Sequence, residues 1–403
     1  MRHPLTCAAA QRFPQWRMTL VSTHLGAPPD LITLTERGLY CAAGDFYIDA
    51  WKPVHRTFVT HGHADHAHTG MGEYWCVHES APILQWRLGA QNYRYLAYGE
   101  RHMFGDVAVS LHPAGHILGS AQVRVEHGGE VWVFTGDFKR DPDPTCAPCE
   151  VVPCDVFICE ATFAFPIYAW PPMADEIARL LQWVQECAAE GKAAVLYAYS
   201  LGKAQRVLAH LHGLLAQPAL LHGAMVRGVQ VYRDAGIAMV ATQPLLELPP
   251  ETDFGGRLVL APPSAQNSVW LRRLRQYEHA MASGWMQVRG NRRRRNVQRG
   301  FVISDHVDWQ SLIATIRETG ARRVLATHGN TDLLIPYLRE TLGLQAERLR
   351  TVYGDEDAQD DAAASQTSAL PATQEADAET EANAEDEDED DGGAAAAPAG
   401  GAP

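Results

Sequence analysis

Short apolar runs separated by polar turns, several of them rich in histidine, fill residues 31–170. The runs at 46–48, 57–59, 107–109 and 131–134 have the length and the β-branched or aromatic content that are typical of strands. We therefore expect this part of the chain to be mainly β-structure.

From about Pro171 the pattern changes to alternating helices and strands. Apolar residues then follow the i, i+3, i+4, i+7 spacing of an amphipathic helix: Ile177, Leu180, Leu181 and Val184. Gly191 is expected to end this helix, and a buried strand at 193–199 and a helix at 202–215 follow. Such alternation favours a mainly parallel sheet.

After Arg299 the first pattern returns. It predicts a strand at 301–303, a helix at 308–319 with Asp308 as its amino-terminal cap, and a strand at 323–327. We interpret the middle segment as an insertion and its flanks as one domain, in a fold of the α/β class. Five parts are predicted: an amino-terminal extension (1–29), the first part of the main domain (30–171), the inserted domain (172–300), the second part of the main domain (301–353) and a tail (354–403).

The tail accounts for the acidity of the chain. The formal net charge is −14, but residues 354–403 contain 16 Asp or Glu and no Lys or Arg, so the remainder is near +2. The tail has no Trp, Tyr or Phe, and it cannot bury enough apolar surface to offset its ordering entropy. We predict that it is disordered, with a role in solubility, in partner binding or in competing with another polyanion for a basic face.

The composition indicates a cytoplasmic protein. No apolar run approaches the roughly 18 residues of a membrane span, and residues 1–18 contain three arginines but no hydrophobic core of a secretory signal. Met18 is a possible alternative start. The eight cysteines are therefore expected to be reduced. Four of them are too irregularly spaced for a zinc ribbon, and we expect buried thiols instead: Cys146, Cys149, Cys154 and Cys159.

The main chemical signal is a cluster of metal-binding residue types. Four potential ligands lie within six residues after the strand predicted at 57–59: His61, His63, Asp65 and His66. Zinc binds imidazole nitrogen and carboxylate oxygen, so the first two can reach one ion and the last two another. Further candidates each follow a short apolar run: His116, Asp137, Glu160, Asp305, His306 and His328. Because strand ends converge at one edge of a sheet, we expect these side chains to share one site.

A site of this composition suits hydrolysis assisted by two metal ions. Two zinc ions about 3.5–4 Å apart would lower the pKa of a bridging water and produce a hydroxide that attacks phosphorus. Asp137 is the natural bridging carboxylate, and a histidine is suited to protonating the leaving oxygen near pH 7. Zinc is the expected metal, although manganese also accepts nitrogen and oxygen ligands.

A basic run precedes the strand that leads to His306. It contains Arg289, Arg292, Arg293, Arg294, Arg295 and Arg299. Because arginine forms bidentate pairs with phosphate oxygens, we predict that residues 292–295 follow a nucleic-acid backbone through salt-sensitive contacts. The alternatives are a solvated basic loop and ion pairs with the acidic tail. Lys203, at the start of a predicted helix, is a further candidate for substrate binding.

These motifs resemble a known family. The sequence His61-Gly62-His63-Ala64-Asp65-His66, with Gly115-His116, Gly136-Asp137 and Thr327-His328-Gly329, resembles the metal motifs of the metallo-β-lactamase superfamily. Glu160 before a long insertion, and Ser304-Asp305-His306, resemble its β-CASP branch, which acts on nucleic acid. Residues 44–49, 201–205 and 304–309 are similar to the bacterial ligase-associated DNA exonucleases. The resemblance covers about 30–353 and implies a metallo-β-lactamase αββα sandwich with an inserted β-CASP α/β domain.

The resemblance also implies a role for each matching residue. One zinc ion would be held by His61, His63 and His116, and the other by Asp65, His66 and His328, with Asp137 between them. Asp49 would orient ligands without binding metal. Glu160 and His306 would position the phosphate and assist protonation of the leaving group, so that the catalytic set is Asp65, Asp137, Glu160 and His306.

The implied function is a metal-dependent DNA exonuclease that acts in DNA repair with an ATP-dependent DNA ligase and a helicase. The alternative is an RNA-processing nuclease of the same branch, because a histidine at the position of His328 is more typical of its RNA enzymes. A small-molecule hydrolase such as a thioesterase would need neither the insertion nor the basic run. A scaffold that has lost its metals would not be expected to keep the full set of ligands.

Overall fold

Two packed β-sheets carry the histidine motif, and a third sheet lies in the middle of the chain. The computed structural model describes residues 30–351. The expectations for the amino-terminal extension (1–29) and for the tail (354–403) therefore concern parts of the chain outside the described residues.

The first sheet contains six strands in chain order: β1 (Thr33–Thr35), β2 (Gly38–Cys41), β3 (Phe46–Ile48), β4 (Arg56–Phe58), β5 (Glu73–Val77) and β6 (Tyr93–Leu96). The strands β1 to β3 pair antiparallel, and β3 to β6 pair parallel. Helix α1 (Ala81–Leu88) connects β5 to β6. The strand predicted at 46–48 is confirmed, and that predicted at 57–59 begins and ends one residue earlier.

The second sheet begins as an antiparallel meander and continues in parallel. Its first five strands are β7 (Arg101–Phe104), β8 (Val107–Pro113), β9 (Ala121–His127), β10 (Glu130–Phe134) and β11 (Val156–Glu160). Neighbours from β7 to β10 pair antiparallel, whereas β11 pairs parallel with β10.

The third sheet is parallel throughout, as the alternation of helices and strands predicted. Its strands are β12 (Ala193–Tyr197), β13 (Ala219–Leu221), β14 (Thr242–Pro244), β15 (Leu258–Ala261), β16 (Tyr277–Ala282) and β17 (Arg299–Phe301), in the spatial order β14-β13-β15-β12-β16-β17. Its helices are α2 (Met173–Ala189), α3 (Lys203–His210), α4 (Gly223–Asp234) and α5 (Arg289–Arg294).

The chain then returns to the second sheet. Helix α6 (Trp309–Thr319) leads to β18 (Arg323–Thr327), and α7 (Leu334–Glu340) leads to β19 (Gln345–Arg348). Strand β18 pairs in parallel with β11 and β19 with β18, so the sheet has the order β19-β18-β11-β10-β9-β8-β7. Residues on both sides of the third sheet thus build one sheet.

Alternate side chains of the second sheet belong to two different hydrophobic cores. Trp132 and Ile158 pack against apolar residues of the first sheet. Val133 and Phe157, one position away, point to the opposite face and pack with residues of α6 and α7. This is the period of two expected for strands buried on both faces. Helix α1 covers the outer face of the first sheet, so the layers run helix, sheet, sheet, helix.

The third sheet also buries both faces. Ala194 and Leu196 pack with residues of α2, α3 and α4. Val195 and Tyr197 face the opposite way, toward the turns and 3₁₀ helices that follow β14, β15 and β16. Helices α2, α3 and α4 therefore cover one face, and shorter segments cover the other.

Helix α2 is the longest helix among the described residues. Three of the four predicted apolar positions are buried, and Leu181 is partly buried. The helix ends before Gly191, whose φ of +68° lies in the left-handed region that favours glycine. Within residues 30–351, no helix has both the length and the apolar character that crossing a membrane requires.

Two further predicted elements have boundaries that differ clearly from those in the structure. The helix predicted at 202–215 ends at His210, and the strand predicted at 301–303 is found at Arg299–Phe301. The second shift has a local cause. The backbone N–H of Val302 donates to the Glu176 carboxylate at 2.7 Å, and that of Ile303 donates to the Phe301 carbonyl. Those donors are therefore unavailable to the sheet.

Asp308 caps α6, as predicted, and we expect Asp308→Ala to destabilise the protein. One carboxylate oxygen accepts from the backbone N–H of Ser311 at 2.8 Å, and the other accepts from that of Trp170 at 3.0 Å. Losing both bonds should lower the free energy of unfolding by about 1–2 kcal/mol, measured by chemical denaturation. Asp308→Asn keeps one acceptor and should cost less; an equal cost would show that the cap contributes little.

Candidate metal centre

The predicted ligands lie where strands of both packed sheets end. His61 follows β4, His116 follows β8 and Asp137 follows β10, while Glu160 is the last residue of β11. These four residues are buried, and His328, which follows β18, is partly buried. Residues separated by more than 260 positions in the chain thus reach one region.

One group of potential ligands consists of His61, His63, His116 and Asp137. Each offers one donor atom, and the four atoms all lie within 4.8 Å of one another. Nε2 of His116 is 3.0 Å from Nδ1 of His63, and Nε2 of His61 is 3.3 Å from an oxygen of Asp137. Three imidazoles and a carboxylate at this spacing suit a single cation.

A second group lies beside the first. Asp65 and His66 offer donor atoms within 4.8 Å of one another and of His61. Nε2 of His66 is 3.5 Å from the Asp65 carboxylate, and the ring of His328 stacks on that of His66 with centroids 5.3 Å apart. The structure therefore places His328 next to this group, through its contact with His66.

Asp137 lies between the two groups. Its Oδ2 is near Nε2 of both His61 and His116, at 3.3 and 3.6 Å, whereas its Oδ1 is 3.6 Å from Nε2 of His66. A tight turn holds the carboxylate there, because Gly136 has a φ of +56° and a Cβ at this position would lie 2.6 Å from Oγ1 of Thr60. One carboxylate thus faces both groups of ligands.

Buried nitrogen atoms without hydrogen-bond partners make this cluster suitable for binding metal ions. Nε2 of His61 and Nε2 of His66 are buried and have no hydrogen-bond partner. Buried polar atoms are normally satisfied, and each exception needs an explanation. Imidazole nitrogen and carboxylate oxygen are the donors that zinc prefers. The residues present therefore fit a zinc centre on the basis of their own geometry.

Most of the imidazoles are suited to be neutral ligands. Burial, followed by repulsion from neighbouring histidines, holds the pKa of His61 well below its ordinary value. Burial likewise lowers the pKa of His63 to about 4 and that of His328 to about 4. A metal ligand must be a neutral imidazole, so these residues need not lose a proton at pH 7.

The pKa of His66 is shifted in the opposite direction. Burial alone would lower its pKa, but the carboxylates of Asp65, Asp137 and Asp49 raise it to about 10. Burial also raises the pKa of Asp137 to about 7. Carboxylates gathered in a buried region require a cation, which is a proton on His66 when no other cation is bound.

Asp49 and Thr60 orient the ligands from behind. The Asp49 carboxylate accepts from the backbone N–H and the hydroxyl of Thr60 at 2.8 and 2.7 Å, and it lies 2.6 Å from Nδ1 of His66. This contact directs Nε2 of His66 into the cluster. Asp49 has a φ of +44° and His328 a φ of +53°, strained values that are typical of functional sites.

Glu160 and His306 form a buried pair at the edge of the cluster. Oε2 of Glu160 is 2.8 Å from Nδ1 of His306, and its Oε1 accepts from the backbone N–H of Phe138 at 2.7 Å. Burial would lower the pKa of His306, but Glu160, Asp137 and Asp305 raise it well above its ordinary value. His306 is therefore held as an imidazolium next to the potential metal ligands.

Lys203 lies in the interior, beside the cluster. Its ammonium is 3.1 Å from the Asp305 carboxylate, and both side chains are about 5% exposed or less. The backbone carbonyl of Asp305 in turn lies 2.8 Å from Nδ1 of His116. The structure thus gives Lys203 an acidic partner and an indirect connection to a potential ligand, in a place where little of it meets solvent.

Arg206 is a functional candidate that the sequence did not reveal. Its guanidinium is 1% exposed, donates to the carbonyl of His116 at 2.8 Å and lies 3.2 Å from the Asp143 carboxylate. Helix α3 of the third sheet is thereby attached to the loops that follow β8 and β10. In the sequence, Arg206 stood out only as a charged residue within a largely apolar predicted helix. A residue of this kind more often lies at a solvated position.

Arginines of the basic run line two different cavities in the structure. Arg292 lines a cavity with residues of α2 and β17. Arg294 and Arg295 line a different cavity beside Tyr197 and Met281. Arg293 is exposed and lines neither of these two cavities. The four adjacent arginines therefore face different surroundings.

The cysteines are placed as isolated thiols. Cys154 and Cys159 are buried, and Cys146 and Cys149 are partly buried. Burial raises the pKa of Cys154 to about 12. Among residues 30–351, none of the candidate metal-binding groups contains a cysteine.

Several known proteins are similar to this chain. A protein of Opitutus terrae named "Probable DNA ligase" is 33% identical over 320 residues, which cover 77% of this chain and 30% of that protein. An RNase J-like protein of Methanocaldococcus jannaschii is 24% identical over 210 residues, which cover 46% of this chain and 48% of that protein. Endoribonuclease ysh1 of Aspergillus fumigatus is 31% identical over 112 residues, 28% of this chain and 13% of that protein. The chain thus spans less than half the length of these relatives.

The RNase J-like and endoribonuclease relatives are β-CASP members of the metallo-β-lactamase superfamily, the branch that the motifs resemble. No protein-family model matches the chain. A solved structure of a protein of unknown function from Enterococcus faecalis has a TM-score of 0.48 and 12% identity, and the match covers 74% of this chain and 80% of that one. The relation to the branch therefore rests on sequence similarity.

Asp143 provides a test of the buried contact with Arg206. Burial would raise its pKa, but Arg206, His210 and Thr145 lower it to about 2, against an ordinary value of 3.8. A lowered pKa stabilises the folded state above pH 4, and this contribution is lost as the pH falls from about 4 to 2. Asp143→Asn should lower the free energy of unfolding by about 2 kcal/mol at pH 7 and by much less at pH 2.

The comparison requires denaturation curves of both proteins at several pH values between 2 and 7. Asp106→Asn is the matched control, since Asp106 pairs with His127 at the surface and its side chain is 81% exposed. The control should change the free energy of unfolding by less than about 1 kcal/mol. A difference for Asp143→Asn that stays constant down to pH 2 would show that its charge is not the cause.

Proposed function

We propose that this chain is a metal-dependent nuclease of the β-CASP branch of the metallo-β-lactamase superfamily that hydrolyses phosphodiester bonds of DNA. The observation that carries the proposal is the position of Asp137, whose two oxygens face two separate groups of histidines. The similarity to β-CASP proteins supports the same assignment.

In this proposal the two groups of residues hold two zinc ions. One would be held by His61, His63 and His116, and the other by Asp65, His66 and His328, with Asp137 contributing to both. Bound in pairs, such cations lower the pKa of a water between them and neutralise charge on the phosphate. Asp49 would keep His66 in place through its contact with Nδ1.

His306 is proposed as the acid that protonates the leaving oxygen. Glu160 lies against Nδ1 of His306 and favours its protonated form, so Nε2 carries a proton that can be donated. The backbone N–H of Phe138 holds Glu160 through its other oxygen. Glu160 is thus a positioning residue in the free protein, and His306 is the group expected to contact the reacting atoms.

The packed sheets and the third sheet suggest the corresponding domain organisation. Residues 30–171 and 301–353 would form the metallo-β-lactamase sandwich, and residues 172–300 the inserted β-CASP domain. The return of the chain from β17 to β18, which pairs with β11, supports this division. In this arrangement the insertion contributes Lys203 and Arg206 to the surroundings of the metal ligands.

DNA is the proposed substrate because of the relative named "Probable DNA ligase". Its similarity covers 77% of this chain but only 30% of that protein, so a similar region exists within a longer protein that bears the name of a ligase. We infer an exonuclease that trims DNA ends in repair alongside an ATP-dependent DNA ligase and a helicase. RNA remains the second candidate, since the other relatives carry the names of RNA enzymes and His328 is present.

We predict that Asp137→Ala abolishes cleavage. The purified protein should contain about two zinc ions by elemental analysis and should degrade end-labelled DNA faster than RNA of matched sequence. The variant should contain less metal and cleave at least about 100-fold more slowly, since the residue joins both groups of ligands.

Asp141→Asn, which keeps an oxygen acceptor for the buried ammonium of Lys139, is the matched control. Asp141 is in the same loop, but its side chain is 62% exposed and pairs with Lys139. It should keep the metal and the activity. Unchanged cleavage by Asp137→Ala would contradict the mechanism, and faster loss of RNA than of DNA by the unmodified protein would contradict the substrate.

The role of His306 can be tested through the leaving group. We expect His306→Gln to slow cleavage of an oligonucleotide by about 100-fold or more, because its alkoxide leaving group needs a proton. The same change should slow cleavage of bis(p-nitrophenyl) phosphate much less, because nitrophenolate leaves without protonation. The measurement is the turnover rate on both substrates.

His112→Gln serves as the control for that experiment. Nδ1 of His112 lies 3.0 Å from the Glu150 carboxylate. This is the same kind of contact that His306 makes with Glu160, but neither His112 nor Glu150 is a proposed metal ligand. The control should leave both rates unchanged. Equal losses on both substrates for His306→Gln would show that the residue supports metal binding or folding rather than proton donation.

A further inference from the structure

A cavity of about 290 Å³ lies between α2 and β17, separate from the metal ligands. Six residues line it: Arg179, Gln182, Arg292, Gln298, Arg299 and Phe301. The first two belong to α2, Arg292 belongs to α5, and the others belong to β17 or precede it. Two members of the basic run are included, Arg292 and Arg299, and only Arg292 belongs to the segment 292–295 predicted to follow a nucleic-acid backbone.

Every polar side chain that lines this cavity is a guanidinium or a carboxamide. Arginine is the residue best suited to bind phosphate, because its planar group donates two parallel hydrogen bonds to two oxygens. Nε of Arg292 is buried and has no hydrogen-bond partner. A buried donor of this kind is normally satisfied, so a ligand oxygen would complete it.

The other two arginines also contact neighbouring residues. Arg179 pairs with Glu176 of the same helix, and its guanidinium lies over the ring of Phe301 at 5.7 Å. Arg299 pairs with Glu186 at 2.9 Å. These contacts leave further N–H donors on each guanidinium, since a guanidinium has five.

The wall of the cavity is directly connected to the proposed acid. From Phe301 to His306 the chain advances five residues, so their Cα atoms are at most about 18 Å apart. Glu176 fixes this segment to α2 by accepting from the backbone N–H of Val302 at 2.7 Å. With about 3.4 Å per nucleotide along a strand of nucleic acid, this Cα separation corresponds to about five nucleotides.

We propose that this cavity binds a backbone phosphate of the substrate, within about five nucleotides of the bond that is cut. The inference rests on the proposed nuclease function and deepens it. It makes the substrate a polynucleotide rather than a dinucleotide or a small phosphodiester, and it assigns Arg179, Arg292 and Arg299 to substrate binding. Cleavage then depends on strand length, because a short strand cannot occupy the cavity and the metal centre together.

The test is a length series of single-stranded oligonucleotides from three to twelve nucleotides, each with the same sequence at the cleaved end. For the unmodified protein, kcat/KM should rise by about tenfold or more once the strand reaches the cavity. In Arg292→Gln combined with Arg299→Gln, the ratio of long-strand to short-strand kcat/KM should fall to within about threefold. Binding of the longest strand, measured by fluorescence anisotropy in EDTA, should show a salt slope smaller by about 0.7 for each lost phosphate contact.

Two single variants control for indirect effects. Glu186→Gln breaks the ion pair of Arg299 but keeps all three guanidinium groups, so a strand-length effect that persists excludes a merely structural role of that pair. Arg317→Gln removes an exposed positive charge on α6, away from the cavity. Both variants should keep the length profile of the unmodified protein.

The possible failures are distinguishable. If the unmodified protein cleaves oligonucleotides with no dependence on length, or if the double variant keeps the full length profile and salt slope, the cavity does not bind substrate and the nuclease proposal stands. If the zinc-loaded protein cleaves no oligonucleotide and no bis(p-nitrophenyl) phosphate, the nuclease proposal itself is wrong. A loss of the length effect in Glu186→Gln would also overturn the assignment.

Discussion

The candidate metal centre depends on buried carboxylates that need a cation. Asp49, Asp65, Asp137 and Glu160 lie among histidines, and burying a carboxylate without compensation is costly. Hydrogen bonds from Thr60 and Phe138 satisfy two of these residues, and the raised pKa values of His66 and His306 provide positive charge. The remaining imidazoles are kept neutral by burial. The arrangement favours a bound cation at one end and a proton donor at the other.

The same centre is attached to the third sheet by buried charges. Lys203 pairs with Asp305, and Arg206 pairs with Asp143 while it holds the carbonyl of His116. A buried ion pair adds little net stability compared with apolar packing, but removing one partner leaves an uncompensated charge. These contacts therefore favour a single arrangement of helix α3 against the loops that carry two potential ligands. Lys203 and Arg206 act on the centre by holding their neighbours.

The third sheet also connects the metal centre to the proposed phosphate-binding cavity between α2 and β17. Strand β17 begins beside arginines of α2 and α5 and leads within a few residues to His306. The segment after β17 is fixed to α2 by the hydrogen bond from the backbone N–H of Val302 to Glu176, so a group bound beside β17 lies within a few residues of His306. In a nuclease this geometry would align the substrate backbone with the reacting bond, and positioning of this kind contributes strongly to catalysis.

Features that depend on neighbouring residues could be predicted from the sequence. The histidine loop after β4, the amphipathic α2, the cap at Asp308 and the parallel character of the third sheet follow from local periods of two or 3.6 residues and from capping chemistry. Which side chains meet across long separations in the chain became clear only from the tertiary structure. It showed Arg206 against His116, Lys203 in the interior, and arginines of the basic run at two different cavities. These outcomes depend on strand order and on which face of each element is covered, and neither is encoded in the spacing of residues along the chain.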